Sequence, residues 1–232
     1  MRKWIVKVGA HQVSAELDTA TAGGTAPLFL FAHGAGGSMA DRGVKLLATL
    51  LCTRGLHVVR FNFPYSERGS RRPDPMALLH DCIAAVASSA LDRTDTDRSI
   101  LGGRSMGGRA ASMLVADGFN CDGLLLLAYP LHPAGEFTKL RDAHLAMITT
   151  PVLCFNGTRD SLCRRDLMDQ VVGRLSINWR MHWLEGADHS FRVTKASGRT
   201  DADVLSEIGD ATARWLESTS PRAARTRRSV HE

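Results

Sequence analysis

The sequence predicts a single α/β domain built on a doubly wound, mostly parallel sheet, with helices on both faces and a minimal lid. Three observations carry that expectation. Short, nearly continuous apolar runs recur along the chain. Segments of helical periodicity fill the gaps between them. The length, 232 residues with 44% hydrophobic content, is enough for one large core. Continuous apolar runs fit strands covered by helices on both faces, as parallel strands must be, and strand–helix alternation implies right-handed crossovers.

Residues 4–8 and 12–17 alternate apolar with polar around Gly9 and Ala10, the pattern of an opening hairpin at a sheet edge. After a Gly- and Thr-rich loop at 19–26, buried strands are expected at 28–32, 56–61, 99–102, 124–128, 152–155 and 177–184. Helices are expected at 42–54, 78–91, 106–116, 161–172 and 202–216, with Gly55, Gly118 and Gly173 placed to end three of them. About 20 residues separate the strands at 124 and 152, too few for a large helical lid. The domain is expected to span residues 1–217, and residues 218–232 read as a basic, disordered tail.

The formal charge of +5 owes much to that tail, where Arg222, Arg225, Arg227 and Arg228 face only Glu232. The body is therefore near neutral, and no nucleic-acid or membrane partner is expected. Five cysteines form no C-x-x-C pair, and four lie in or beside apolar segments, which fits reduced thiols. No export signal follows Arg2 and Lys3, and no apolar run approaches a membrane span. A cytoplasmic protein is expected.

Ligands of doubly wound sheets bind beyond the carboxyl ends of the strands, so chemistry is sought just after each apolar run. After the strand at 99–102 comes Gly103-Arg104-Ser105-Met106-Gly107-Gly108, which places G-x-S-x-G between a strand and a helix. A serine on that turn projects its hydroxyl above the sheet, and glycines flank it because strand and helix press together there. The Met106 N–H then points where an oxyanion would form. The loop Phe31-Ala32-His33-Gly34-Ala35-Gly36-Gly37 follows an earlier strand and offers the Ala35 N–H as a second donor. His33 is read as shaping this loop rather than as a base. Neither glycine-rich segment completes a dinucleotide or phosphate-loop pattern, and no cofactor is expected.

A serine nucleophile needs a base, and the base needs an acid to fix its tautomer. Chain order in such sheets is serine, acid, histidine. His189, in Gly186-Ala187-Asp188-His189, follows the strand at 177–184, whereas His182 lies inside it and His231 belongs to the tail. Asp160 stands just past Asn156-Gly157-Thr158-Arg159 at the end of the strand at 152–155; its competing role is to cap the next helix. Asp188 is the poorer candidate, since adjacent side chains diverge. Arg60, Tyr65, Arg104, His132 and His144 are candidate substrate contacts. Arginines at 60, 68, 71, 72, 104 and 159 crowd the predicted rim and suit an anionic substrate. The histidines and cysteines show no zinc-ligand spacing, so no metal is expected.

The serine turn, with Gly157-Thr158-Arg159-Asp160, Gly186-Ala187-Asp188-His189 and His33-Gly34-Ala35-Gly36, resembles the small serine α/β-hydrolases of the dienelactone hydrolase-like group. Arg60-Phe61-Asn62-Phe63-Pro64-Tyr65 and Leu131-His132-Pro133 also resemble the subgroup containing testis-expressed protein 30 and the hydrolase-like domain of a chromatin-complex subunit. The likeness covers residues 28–217. It implies the α/β-hydrolase fold and a Ser105, Asp160, His189 triad and says little about substrate; the site without a large lid is what suits a small ester or thioester. The dienelactone hydrolases use cysteine where this chain has Ser105, which separates it from their substrate. The alternative is a hydrolase-fold interaction protein with little or no turnover, since fold does not guarantee function.

Overall fold

A computed structural model describes residues 2–21, 25–175 and 178–219. Its eight strands, β1 (Arg2–Val8), β2 (His11–Asp18), β3 (Leu28–Ala32), β4 (His57–Phe61), β5 (Ser99–Arg104), β6 (Gly123–Leu127), β7 (Val152–Gly157) and β8 (Trp179–Leu184), form one sheet in the order β1-β2-β4-β3-β5-β6-β7-β8. The β1–β2 hairpin and the β2–β4 pair are antiparallel, and every later pair is parallel. The helices are α1 (Arg42–Thr53), α2 (Pro64–Glu67), α3 (Met76–Leu91), α4 (Met106–Ala116), α5 (Arg165–Val172) and α6 (Asp201–Thr219).

Strand periodicity sorts the apolar residues into two cores. Leu28, Leu30 and Ala32 of β3, with Leu124 and Leu126 of β6, pack under α3, α4 and α5. Their neighbours Phe29, Phe31, Leu125 and Leu127 pack on the other face under α1 and α6. Every residue of β3 and β6 is buried, which is why both read as unbroken apolar runs.

Several boundaries differ from the sequence expectation. The short helix α2 was not anticipated; Pro64 at its first position and its four-residue length give no periodicity to read. Helix α5 begins at Arg165 rather than 161, because the chain first turns around Asp160. Gly55 and Gly118 take the positive φ of helix terminators, at 89° and 101°, whereas Gly173 stays right-handed at −60°. Helix α6 continues through Ser218 and Thr219, past the boundary expected at 217; the remainder of the expected tail lies outside the described residues. Between β6 and β7 the chain forms loops and one short 3-10 turn (Leu145–Met147), so among the described residues no lid domain covers the carboxyl edge.

Candidate active site

The end of β5 meets the start of α4 in a turn tight enough to exclude side chains. A Cβ on Gly103, whose φ is 147°, would collide with the Ala32 carbonyl, and one on Gly107 would stand 2.5 Å from the carbonyl oxygens of Ala32 and His33. Between them Ser105 adopts φ 51°, a conformation that costs a non-glycine residue about 1–3 kcal/mol. Its N–H donates to the Leu127 carbonyl at 2.8 Å and its carbonyl accepts the Arg109 N–H at 3.0 Å, so strand and helix together hold the strain.

The turn aims Ser105 Oγ at His189, whose Nε2 lies 3.0 Å away. His189 Nδ1 sits 2.8 and 2.9 Å from the two carboxylate oxygens of Asp160. The Asp160 side chain is fully enclosed and that of His189 is 24% exposed. A fully enclosed carboxylate requires hydrogen-bond donors, and Asp160 also accepts the Leu162 N–H at 2.8 Å and Asn156 Nδ2 at 3.1 Å. Helix α5 starts after Arg164 with no side-chain cap, so Asp160 serves this cluster and its own turn rather than the helix. Asp188 instead accepts the N–H groups of Ser190 and Arg192, shaping the loop that carries His189.

Asn156 was missed at the sequence level. It is fully buried at the end of β7, donates to the Tyr129 carbonyl at 3.0 Å and accepts the Tyr129 N–H at 3.2 Å, which fixes which way its amide faces Asp160. The available signal was an asparagine closing an otherwise apolar strand.

The loop after β3 lies against the serine: a Cβ on Gly34 would stand 3.7 Å from Ser105 Cβ. Its shape comes from buried groups. His33 Nδ1 lies 2.9 Å from the Gly34 carbonyl oxygen, and Nε2 accepts the Phe63 N–H at 3.1 Å. Burial lowers the His33 pKa, against the Gly34 hydrogen bond and Asp41, and the neutral Nδ1–H form satisfies both contacts. The loop leaves Ala35 exposed, and Met106 opens α4, where an N–H has no carbonyl within the helix to bond.

The expected substrate contacts are largely corrected. Arg60 is 3% exposed; it pairs with Glu16 and Asp18 of β2 and donates to the Met39 carbonyl, bracing the loop rather than a ligand. Tyr65 is fully buried and donates to the Gly34 carbonyl at 3.2 Å, and burial pushes its phenol pKa up to about 12. His132 is fully buried and accepts the Arg164 N–H at 3.0 Å, tying two loops together. His144 lies 2.9 Å from Ser112 Oγ on α4. Ser112 is seven residues beyond Ser105, roughly 10 Å along the helix. Of the five, Arg104 stays beside the site: its Nη2 donates to the His189 carbonyl at 3.1 Å and to Ser190 Oγ at 3.2 Å.

His144 has a measurable consequence. Burial, and then the Arg109 charge, lower its pKa from 6.5 to about 4, against the opposing pull of Asp117 and Asp142. Between those two pH values the unfolded chain binds a proton that the folded chain refuses, so stability falls as pH drops through this window. Denaturant melts from pH 7 to pH 4 are expected to show that decline, and His144→Gln is expected to flatten it.

Among the described residues, no group of three or more His, Cys, Asp or Glu side chains is arranged to hold a metal, and no helix is long and apolar enough to cross a membrane.

A mostly parallel sheet carrying a hydrogen-bonded serine, histidine and aspartate beyond its carboxyl edge defines the α/β-hydrolase class of folds. The family model described as alpha/beta hydrolase domain matches residues 25–217, and the chain belongs to that family. Among solved structures it is similar to an α/β serine hydrolase homologue from Coxiella burnetii, at 21% identity and TM-score 0.74 over 93% of this chain and 97% of the other. It is also similar to a dienelactone hydrolase from Anabaena variabilis, at 18% identity and TM-score 0.72 over 94% and 97% of the two chains. A third similar structure is an α/β serine hydrolase without lid from Xanthomonas campestris, at 20% identity and TM-score 0.70 over 92% and 94%. At these identities the likeness concerns the fold.

Proposed function

We propose that the protein is a serine hydrolase that cleaves a small ester or thioester by acyl transfer and that it groups with the small hydrolases related to testis-expressed protein 30. The observation that carries this reading is the unbroken line of contacts from Ser105 Oγ through the His189 ring to the enclosed Asp160 carboxylate, at 3.0 and 2.8 Å. His189 takes the Ser105 proton as the oxygen attacks the carbonyl carbon. The Ala35 and Met106 N–H groups donate to the oxyanion. Protonated His189 then gives its proton to the leaving group, and water, activated by the same ring, releases the acyl group. The open carboxyl edge, with no lid domain among the described residues, supports a small substrate over a long lipid. Five free cysteines, four of them buried, support a reducing compartment such as the cytoplasm.

Labelling with a fluorophosphonate probe tests the reading directly. Wild-type protein is expected to label and Ser105→Ala is not; equal labelling of the two proteins overturns the assignment.

A further inference from the structure

A cavity of 530 Å³ lies between the first turns of α1, the loop after His189 and the first turns of α6, lined by Arg104 and Ser190, the chain neighbours of Ser105 and His189. Its walls are apolar: Leu46, Leu47, Phe191 and Leu205. Three guanidinium groups also line it, from Arg104, Arg42 and Arg192, against a single carboxylate, Asp201, which accepts the Val193 N–H at 2.9 Å.

Arg104 is the informative member. It precedes Ser105 and is largely withdrawn from solvent, yet it stands within ion-pair distance of no carboxylate among the described residues. One terminal nitrogen is spent on His189 and Ser190, while Nε is buried without any hydrogen-bond partner. Nη1 faces α1 at Gly43, where a Cβ would lie 3.9 Å from it. A desolvated cation without a counter-ion is costly, and burial accordingly lowers its pKa, with Asp188, Asp41 and Asp160 opposing only from a distance. Arg42 and Arg192 are exposed at the rim and form no ion pair among the described residues. An anion entering the cavity would supply the missing partner, and a guanidinium binds oxyanions through paired donors.

We propose that this cavity seats a carboxylate or similar oxyanion carried by the ester that Ser105 attacks, with a short apolar segment against Leu46, Leu47, Phe191 and Leu205. The proposal names the substrate class of the same site and rests on Ser105 being the nucleophile. The anion sits on either the acyl chain or the leaving group, and two substrate pairs separate these positions.

The first pair is the p-nitrophenyl hemi-ester of adipate and its methyl ester, which place the charge on the acyl chain. The second is p-acetoxybenzoate and its methyl ester, which place it on the leaving group. Each kcat/KM is divided by the uncatalysed rate, at low salt. In wild-type protein the acid is expected to exceed its methyl ester by about tenfold in one pair. That ratio is expected to fall towards unity in Arg104→Gln and by roughly threefold in Arg42→Gln or Arg192→Gln, whose exposed charges are worth less. Arg104 also holds the His189 loop, so its substitution lowers both rates if positioning is its only role; the ratio isolates charge recognition. Unchanged ratios across all variants, or no preference for the acid in either pair, overturn the proposal. Calorimetry with monomethyl adipate on Ser105→Ala, with and without Arg104→Gln, reads the cavity without turnover. Arg104-dependent binding in a protein that hydrolyses nothing retains the anion site and rejects the serine hydrolase reading; turnover without Arg104-dependent binding does the reverse.

Discussion

Ser105→Ala is expected to lower kcat for a small p-nitrophenyl ester by about 10⁵- to 10⁶-fold, the size of loss that accompanies removal of a nucleophile from a working triad. The residue left behind isolates the hydroxyl. Alanine inherits the φ of 51° that serine endures, keeps the N–H bonded to Leu127 and keeps the carbonyl that accepts from Arg109, so the turn should stand unchanged. Thermal melts of the two proteins should coincide. Residual catalysis, about 10³- to 10⁴-fold over water in comparable systems, would come from the Ala35 and Met106 donors and from binding. A Ser105→Ala protein that retains more than a tenth of wild-type activity while folded would place the chemistry elsewhere.

Asp160→Asn is expected to cost about 10⁴-fold in kcat with little change in shape. The reason is directional. Asp160 receives three donors at once, from His189 Nδ1, the Leu162 N–H and the Asn156 amide. Asparagine carries two hydrogens of its own and must turn them against one of those donors. The Asn156 amide cannot reverse to help, because both of its ends are bonded to the Tyr129 backbone. Presenting the new NH₂ to His189 forces the ring into the Nε2–H tautomer, which donates to Ser105 Oγ and can no longer accept its proton. Presenting it elsewhere leaves a buried donor facing a donor, a penalty of about 1–3 kcal/mol in stability. Single-turnover rates with a denaturation curve separate the two outcomes, and an Asp160→Asn rate within tenfold of wild type contradicts the role assigned to the carboxylate.

Much of this architecture was legible in the residues. Unbroken apolar runs located β3, β6 and β7 because a strand covered on both faces has no reason to alternate. The serine turn was legible because its glycines answer to steric demands that only a strand pressed against a helix creates, and their spacing is local. Asp160 and His189 were singled out as candidates by the same logic, each standing just past a strand end.

The substrate contacts were not legible. Arg60 stands near the end of a strand and Tyr65 and His132 follow one, as pocket residues do, yet which way a side chain points depends on what packs across from it. Arg60 stands opposite Glu16 in the β2–β4 pairing, a partner 44 residues away in sequence, and that pairing turns a rim candidate into a buried brace. Asn156 escaped notice for the same reason, and Arg104, although a candidate contact from the sequence, gave no sign there that it lacks an ion-pair partner among the described residues.

What the sequence determined by itself was the fold, the strained serine turn and the residues available for chemistry at the strand ends, all set by local patterning of apolar and glycine positions. Only the tertiary structure decided which of those residues meet: it brought His189 across 84 positions to Ser105, sealed Asp160 behind it, and left Arg104 without a counter-ion beside a cavity. Burial and hydrogen-bond pairing are properties of the packed sheet, and no stretch of chain carries them before it is packed.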